Sequence, residues 1–342
     1  MTVADTVVPG VEPLGEPLEP RPVSARRGRS DKAFSAGMTT SGLVVLVIMT
    51  AVGLFLTLEA ADAIGSRGII PFLTTSEWEV ERGKFGVAAV LLLTVLIAAV
   101  AVAIAFPVAL GTALFIAEVA PRRLRAWLIS VIDLMAAVPS VVFGLWGLFL
   151  LQGQMVGVSR WINTWFGWIP LFKVDGADPT SPLSTVSVYT ASTFIAGVVV
   201  AGMATPIACV VMREVFSQVP IGEREGAFAL GATRWGMIRS VTLPFGRGGI
   251  IGGTMLGLGR ALGETIAVVL IISPRFDITF HVLEAGSNSV SSLIAIRYSE
   301  ASGFGLSALF AAGLVLFAIT LMVNFTASWF IARSRSGASS DA

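Results

Sequence analysis

Six times along its 342 residues this chain runs apolar for about twenty residues or more, near 39–58, 86–117, 127–151, 191–212, 246–272 and 306–331. A helix rises 1.5 Å per residue, so each run can cross a hydrocarbon core roughly 30 Å thick. The runs predict an all-α integral membrane protein with six transmembrane helices. Composition agrees: 55% of residues are hydrophobic and 13% charged, with a mean hydropathy of +0.84, whereas a soluble domain carries nearer a quarter charged. The runs at 86–117 and 246–272 exceed the length required, so they are expected to tilt, to kink at Pro107 in the first case, or to extend past the membrane.

Five of the sixteen prolines fall in residues 1–38, among Glu, Arg and Lys and with no apolar period, which predicts a disordered tail. The run at 39–58 is too long for the core of a signal peptide and follows a long polar leader, so it is read as an uncleaved first span although Ala61-Asp62-Ala63 loosely resembles a cleavage site. If the tail is inside, fifteen of the 23 basic residues lie on the cytoplasmic side and seven outside, and Arg260 alone sits within a span. That bias places both termini in the cytoplasm. Residues 59–85, 152–190 and 273–305 are then external, and Trp78, Trp161, Trp165 and Trp168 in them suit an interfacial belt or a docking rim. A net charge of +1 leaves no broad footprint for nucleic acid, and the single Cys209 and single His281 cannot build a disulfide or a Cys/His metal site within the chain.

The long connection at 213–245 carries the clearest local pattern. Pro220 can open a short helix in which Glu223 and Glu225 favour the positive end of the dipole, Gly231 can supply a left-handed residue that closes it, and a second helix from about Thr233 is expected to end before Pro244. The plainer reading is an amphipathic connector lying on the membrane. Glu225, Ala227, Gly231, Leu243 and Pro244 nevertheless fall at the spacing of the EAA loop, so the segment resembles that of ABC importer permeases, with Gly226 in place of the usual second Ala. The resemblance implies a type I ABC importer permease (MetI-like) fold, with the core at 86–331 and a short cytoplasmic tail at 332–342. It also implies a coupling helix that meets an ATPase through Glu223, Glu225, Gly226, Ala227, Leu230, Gly231, Ala232 and Thr233. The chain has no Gly-x-x-x-x-Gly-Lys-Ser/Thr phosphate cradle, so it is expected to hold no cofactor, with ATP and Mg bound by a separate subunit.

Two further stretches, 132–147 (ending Gly144-Leu145-Trp146-Gly147) and 257–268 (Gly257-Leu258-Gly259-Arg260-Ala261-Leu262-Gly263-Glu264-Thr265), look like the phosphate-specific transport permeases, and the Gly-Leu-Trp-Gly ending looks more like the PstC-type subunit than the PstA-type. The implied partners are a PstA-type permease, a PstB-type ATPase dimer and an external PstS-type phosphate-binding protein, assembled in a bacterial plasma membrane.

In the fifth run Gly249, Gly253, Gly257 and Ala261 recur every four residues, a smooth ridge for close helix packing, either within the bundle or across a subunit pair. Arg260 lies near the middle of that run, with Glu264 four residues on. The two are either a self-neutralised pair or part of a substrate path, since charges at that depth usually mark a pathway. Guanidinium offers paired donors to phosphate oxygens, while an ionised Glu264 can accept a phosphate hydroxyl hydrogen and repel sulfate, which has none at neutral pH. Thr265 belongs to the same stretch. In the third run Pro139 is expected to kink the helix and, with Ser140, either to line a cavity or to bond a neighbouring helix; Thr205-Pro206 predicts a second kink. Competing readings are a permease for sulfate or molybdate, a proton-driven transporter carried by Glu264, and a membrane enzyme, for which no cluster of titratable groups is present.

Overall fold

The computed structural model describes residues 28–175 and 185–334; the predicted tail up to residue 27, the segment 176–184 and residues 335–342 lie outside the described residues. The chain divides into Met1–Val52 and Gly53–Ala342. In the first unit a helix begins at Arg29, well before the apolar run, and so takes in residues assigned above to the tail. Asp31 explains the early start, because its carboxylate faces the positive end of the dipole and accepts the Gly28 N–H at 3.1 Å.

Among the described residues five helices are long and apolar enough to cross a membrane: Ser30–Glu59, Ala88–Val119, Ser140–Phe166, Thr193–Ser217 and Phe304–Trp329. The fifth apolar run is divided instead. It forms the helices Arg247–Gly263 and Ile266–Ile271, separated by Glu264 and Thr265. The first piece rises about 26 Å, short of the ~30 Å core, so the crossing needs both.

The third run is divided as well. Helix Arg122–Ala137 stops at Val138 and Pro139, both extended, and a new helix starts at Ser140. Pro139 therefore breaks the helix where a kink was expected. Pro107 and Pro206, by contrast, lie inside the continuous helices Ala88–Leu114 and Thr193–Ser217. Burial alone does not separate these cases, since Pro206 is buried and Pro107 exposed, yet both of their helices run on, while the helix at Pro139 stops and restarts.

Close packing sets the register between the two divided crossings. A Cβ on Gly144 would lie 2.9 Å from the Ala267 Cα, and one on Gly147 would lie 2.9 Å from the Ile271 side chain. Helices Ser140–Trp146 and Ile266–Ile271 thus run side by side in the same direction, which puts Pro139-Ser140 level with Gly263-Glu264. The glycine ridge packs within the bundle, settling the choice left open by sequence: a Cβ on Gly253 would lie 2.8 Å from the Ala208 carbonyl oxygen and one on Gly249 2.5 Å from Val215. The core follows these contacts. Ala109, Ala113, Ile132, Met212 and Phe216 pack at one end, Ala101, Val199, Ala204, Ala261 and Val268 in the middle. At the other end Phe72, Phe85, Leu293 and Ala308 join the segment 59–85, which holds two short helices and the hairpin Trp78–Glu79 with Lys84–Phe85.

Candidate functional site

Glu264 does not continue the helix that carries Arg260. Its backbone is extended (φ −68°, ψ 125°), so the two side chains do not share a helical face, and among the described residues no ion pair joins them. Glu264 is buried, at 8% exposure. Its backbone carbonyl accepts the Ser291 hydroxyl at 2.8 Å, and its Oε1 faces the Ala267 N–H at 3.4 Å, in the first turn of the next helix. The carboxylate thus acts as a loose cap on that helix and keeps Oε2 without a partner among the described residues. Thr265 stands between the two helices and donates to the Gly263 carbonyl at 3.3 Å.

Arg260 is partly buried, its Nε is fully buried without a partner, and its guanidinium makes no hydrogen bond or ion pair among the described residues. A self-neutralised pair is therefore absent in this conformation. An unpaired guanidinium inside a membrane costs about 3 kcal/mol even on insertion scales, so the position asks for an acceptor. Ser140, level with the break, likewise makes no hydrogen bond with any neighbouring helix among the described residues. Pro139, Gly263 and Ile266 border the break and are exposed in the single chain.

One wall of this site has no counterpart in the sequence reading. Residues 287–292 form a buried polar layer ahead of the helix Val290–Arg297, in which Ser289 and Ser292 cap each other reciprocally. Ser291 reaches the break, Thr94 accepts the Val290 N–H at 3.0 Å, Ser287 and Thr193 bond at 2.9 Å, and the Asn288 side-chain nitrogen is buried without a partner. The Ser-Asn-Ser-x-Ser-Ser pattern was a visible capping signal. Further out, Arg275 bridges Glu284 at 2.9 Å and Asp277 at 3.0 Å, and His281 Nδ1 lies 3.1 Å from Glu284. The Glu284 hydrogen bond raises the Arg275 pKa despite partial burial, and the Lys173 hydrogen bond lowers that of Asp175.

The 213–245 connection folds as a knob of two short helical segments. Pro220 precedes the helix Ile221–Ala229, and Gly231 (φ +83°) makes the left-handed elbow, its N–H donating to the Phe228 carbonyl. Thr233 caps Arg234–Met237 by accepting the Gly236 N–H at 3.1 Å. The helical path does not end before Pro244: a π-turn over Ile238–Thr242 leads into Leu243–Phe245, where the proline sits in a first turn that needs no donor from it. Leu230, at the tip, is 91% exposed, and Ile221, Phe228 and Trp235 are exposed around it. Glu223 and Glu225 are also exposed, and Glu223, Gly226, Ala227, Leu230 and Ala232 line a groove closed by Val241 and Pro244. An apolar tip of this kind marks a docking surface.

The base of the knob holds a second arrangement that sequence reasoning missed. Glu118, in the π-turn Phe115–Val119 that ends the second span, has a side chain 4% exposed. It pairs with Arg224 at 3.2 Å and accepts the Thr242 hydroxyl at 3.1 Å. Arg224 also donates to the Phe216 carbonyl at 2.7 Å.

Helices long and apolar enough to cross a membrane, two helix breaks at one level near an unpaired arginine, and an apolar-tipped knob belong together in a membrane transport subunit. A sequence profile of the binding-protein-dependent transport system inner membrane component family matches residues 108–336. The phosphate transport system permease protein PstC 2 of Mycobacterium tuberculosis is 35% identical over 324 residues, covering 92% of this chain and 96% of its own. The phosphate transport system permease protein PstC of Xylella fastidiosa is 35% identical over 309 residues, covering 90% and 92%. A bacterial ABC transporter involved in the import of the acidic polysaccharide alginate aligns with 88% of this chain and 99% of its own at 18% identity and a TM-score of 0.49. The chain belongs to the binding-protein-dependent transport permeases and, within them, to the PstC family. It is accordingly a membrane-spanning ABC transport subunit of the MetI-like fold, and works with an ATPase, a binding protein and another permease.

Proposed function

We propose that this chain forms one half of the path for inorganic phosphate in an ATP-driven importer, with Arg260 as the anion-binding group. The observation that carries this reading is Arg260, in the last turn of its helix before the break at Glu264, whose guanidinium has no protein acceptor among the described residues. A bidentate contact to two phosphate oxygens would take up two of its donors. Glu264 Oε2 is available to accept a phosphate hydroxyl, and the Ser140 and Thr265 hydroxyls and the turn at Pro139 complete the lining.

The exposed edge formed by Pro139, Gly263 and Ile266 fits a second, PstA-type permease, so that the path runs between two subunits. The basic residues support cytoplasmic termini in a bacterial plasma membrane, which turns the knob toward the cytoplasm. There it meets a PstB-type ATPase dimer, which binds ATP and Mg, through the exposed residues from Glu223 to Thr233. A PstS-type protein delivers phosphate from outside.

Arg260→Ala in the assembled complex is expected to lower phosphate uptake by about a hundredfold or more, the worth of two charge-assisted hydrogen bonds. Wild-type uptake would remove Arg260 from the path. Uptake of sulfate or molybdate in preference to phosphate by the wild-type complex would move the assignment to another oxyanion.

A further inference from the structure

Glu118 is a buried carboxylate that the substrate path does not use. Burying a charge is costly unless it is paired and hydrogen-bonded. Both of its partners come from the knob: Arg224 from the helix Ile221–Ala229, and Thr242 from the π-turn on the return side. Arg224 simultaneously takes the Phe216 carbonyl in the last turn of Thr193–Ser217. From the other side, Arg125 donates to the Ile116 and Ala117 carbonyls of the same π-turn, tying in the start of Arg122–Ala137. Both limbs of the knob thus bond the Glu118 carboxylate directly, while the end of the fourth span is tied to it through Arg224 and the start of Arg122–Ala137 is tied to the π-turn that carries it.

Nothing else joins the knob to the spans through charge among the described residues. Glu223, Glu225, Arg234 and Arg239 are all exposed, and the only ion pair that leaves the knob is Arg224 with Glu118. The tip, by contrast, presents Leu230 and Trp235 to the outside. A push delivered to the tip reaches the membrane helices through the peptide chain at each end of the knob, through the packing of Leu243, and through the bonds that Arg224 and Thr242 make to Glu118.

We infer that the Glu118 carboxylate, clamped by Arg224 and Thr242, is the positioning residue that converts displacement of the knob into movement of the second and fourth spans. The inference rests on the reading of the knob as the ATPase docking element. Glu118 touches neither substrate nor nucleotide; it acts by holding Arg224 and the π-turn in one rigid joint. Loss of its charge leaves the tip able to dock but lets the joint slip, so that hydrolysis continues without productive movement of the path.

The test uses the complete complex, with both permeases and the ATPase in lipid vesicles and a phosphate-binding protein inside or outside as required, and reads phosphate moved per ATP hydrolysed. Glu118→Gln keeps the side-chain volume and is expected to retain ATPase recruitment and hydrolysis while lowering that ratio about tenfold. Arg224→Lys, which keeps the charge, is expected to retain most of the ratio. A merely structural role predicts that uptake and hydrolysis fall together with the recovery of complex, leaving the ratio unchanged, and that result on Glu118→Gln overturns the proposal. If Glu118→Gln does not assemble, Thr242→Val removes one donor without unpairing a charge; a lowered ratio there supports the joint and a wild-type ratio overturns it. Leu230→Glu separates the two readings: retention of the ATPase by that variant refutes docking at the tip, whatever Glu118→Gln shows.

Discussion

Arg224 and Arg260 are both partly buried arginines in helical segments of an apolar chain, yet their surroundings are opposite. Arg224 has a carboxylate at 3.2 Å and a carbonyl at 2.7 Å, while Arg260 has no protein acceptor among the described residues. The difference separates two uses of one side chain. A guanidinium held by a carboxylate and a carbonyl of its own fold is part of the frame, even though its Nε, like that of Arg260, has no partner among the described residues. One that the fold has left open, beside a break in two crossings, is poised for something that arrives and leaves. Glu118 and Glu264 repeat the contrast, since Glu118 is held by two donors and Glu264 only by a long contact to the Ala267 N–H.

Stability measurements test the contrast between the two arginines most directly. Arg224→Ala strands a carboxylate that is 4% exposed, and removing one member of a buried pair is expected to cost about 3 kcal/mol, visible as lower recovery and a lower melting temperature of the purified complex. Arg260→Ala removes an unpaired charge and is expected to leave the melting temperature unchanged or raised, while uptake falls as predicted above. Equal destabilisation by the two substitutions would mean that Arg260 is part of the frame too, with an acceptor on the partner permease.

A smaller effect is expected in the selectivity of the site. Glu264→Gln keeps the shape and the weak cap on the Ala267 N–H but removes the negative charge that disfavours a fully ionised oxyanion. Inhibition of phosphate uptake by sulfate is expected to strengthen about tenfold. Unchanged inhibition would assign the discrimination to the binding protein.

The features legible in the sequence divide along the same lines. The apolar runs announce the crossings because lipid leaves few alternatives for twenty apolar residues, and Gly231 announces its elbow because φ +83° suits glycine alone. Pro139 announces a disturbance, though only the packing of Gly144 and Gly147 against Ala267 and Ile271 shows that the helix breaks and restarts. The break at Glu264 has no such local sign, because Gly263-Glu264-Thr265 holds no proline. The carbonyl that the break frees is met by a hydroxyl 27 residues away, that of Ser291. Glu118 and Thr242 are 124 residues apart, and nothing short of the fold brings them together. Gly231 acts through its own backbone and could be read, whereas the partners of Glu118 and of the Glu264 carbonyl come from other elements and could not.

Ser291 offers the finest test of that dependence. If its hydroxyl is what holds the Glu264 carbonyl out of helical geometry, Ser291→Ala leaves a buried carbonyl without that donor, at a cost of about 1 kcal/mol. The expected result is a small drop in melting temperature together with a severalfold rise in the phosphate concentration needed for half-maximal uptake, because Glu264 is then free to slide toward the helix that carries Arg260. Ser291→Thr, which keeps the hydroxyl, is expected to restore both. A melting temperature lowered by Ser291→Ala with no change in the phosphate dependence would show that the break is set by the packing of Ile266–Ile271 on Gly144 and Gly147, and that the hydroxyl only satisfies a carbonyl already exposed there.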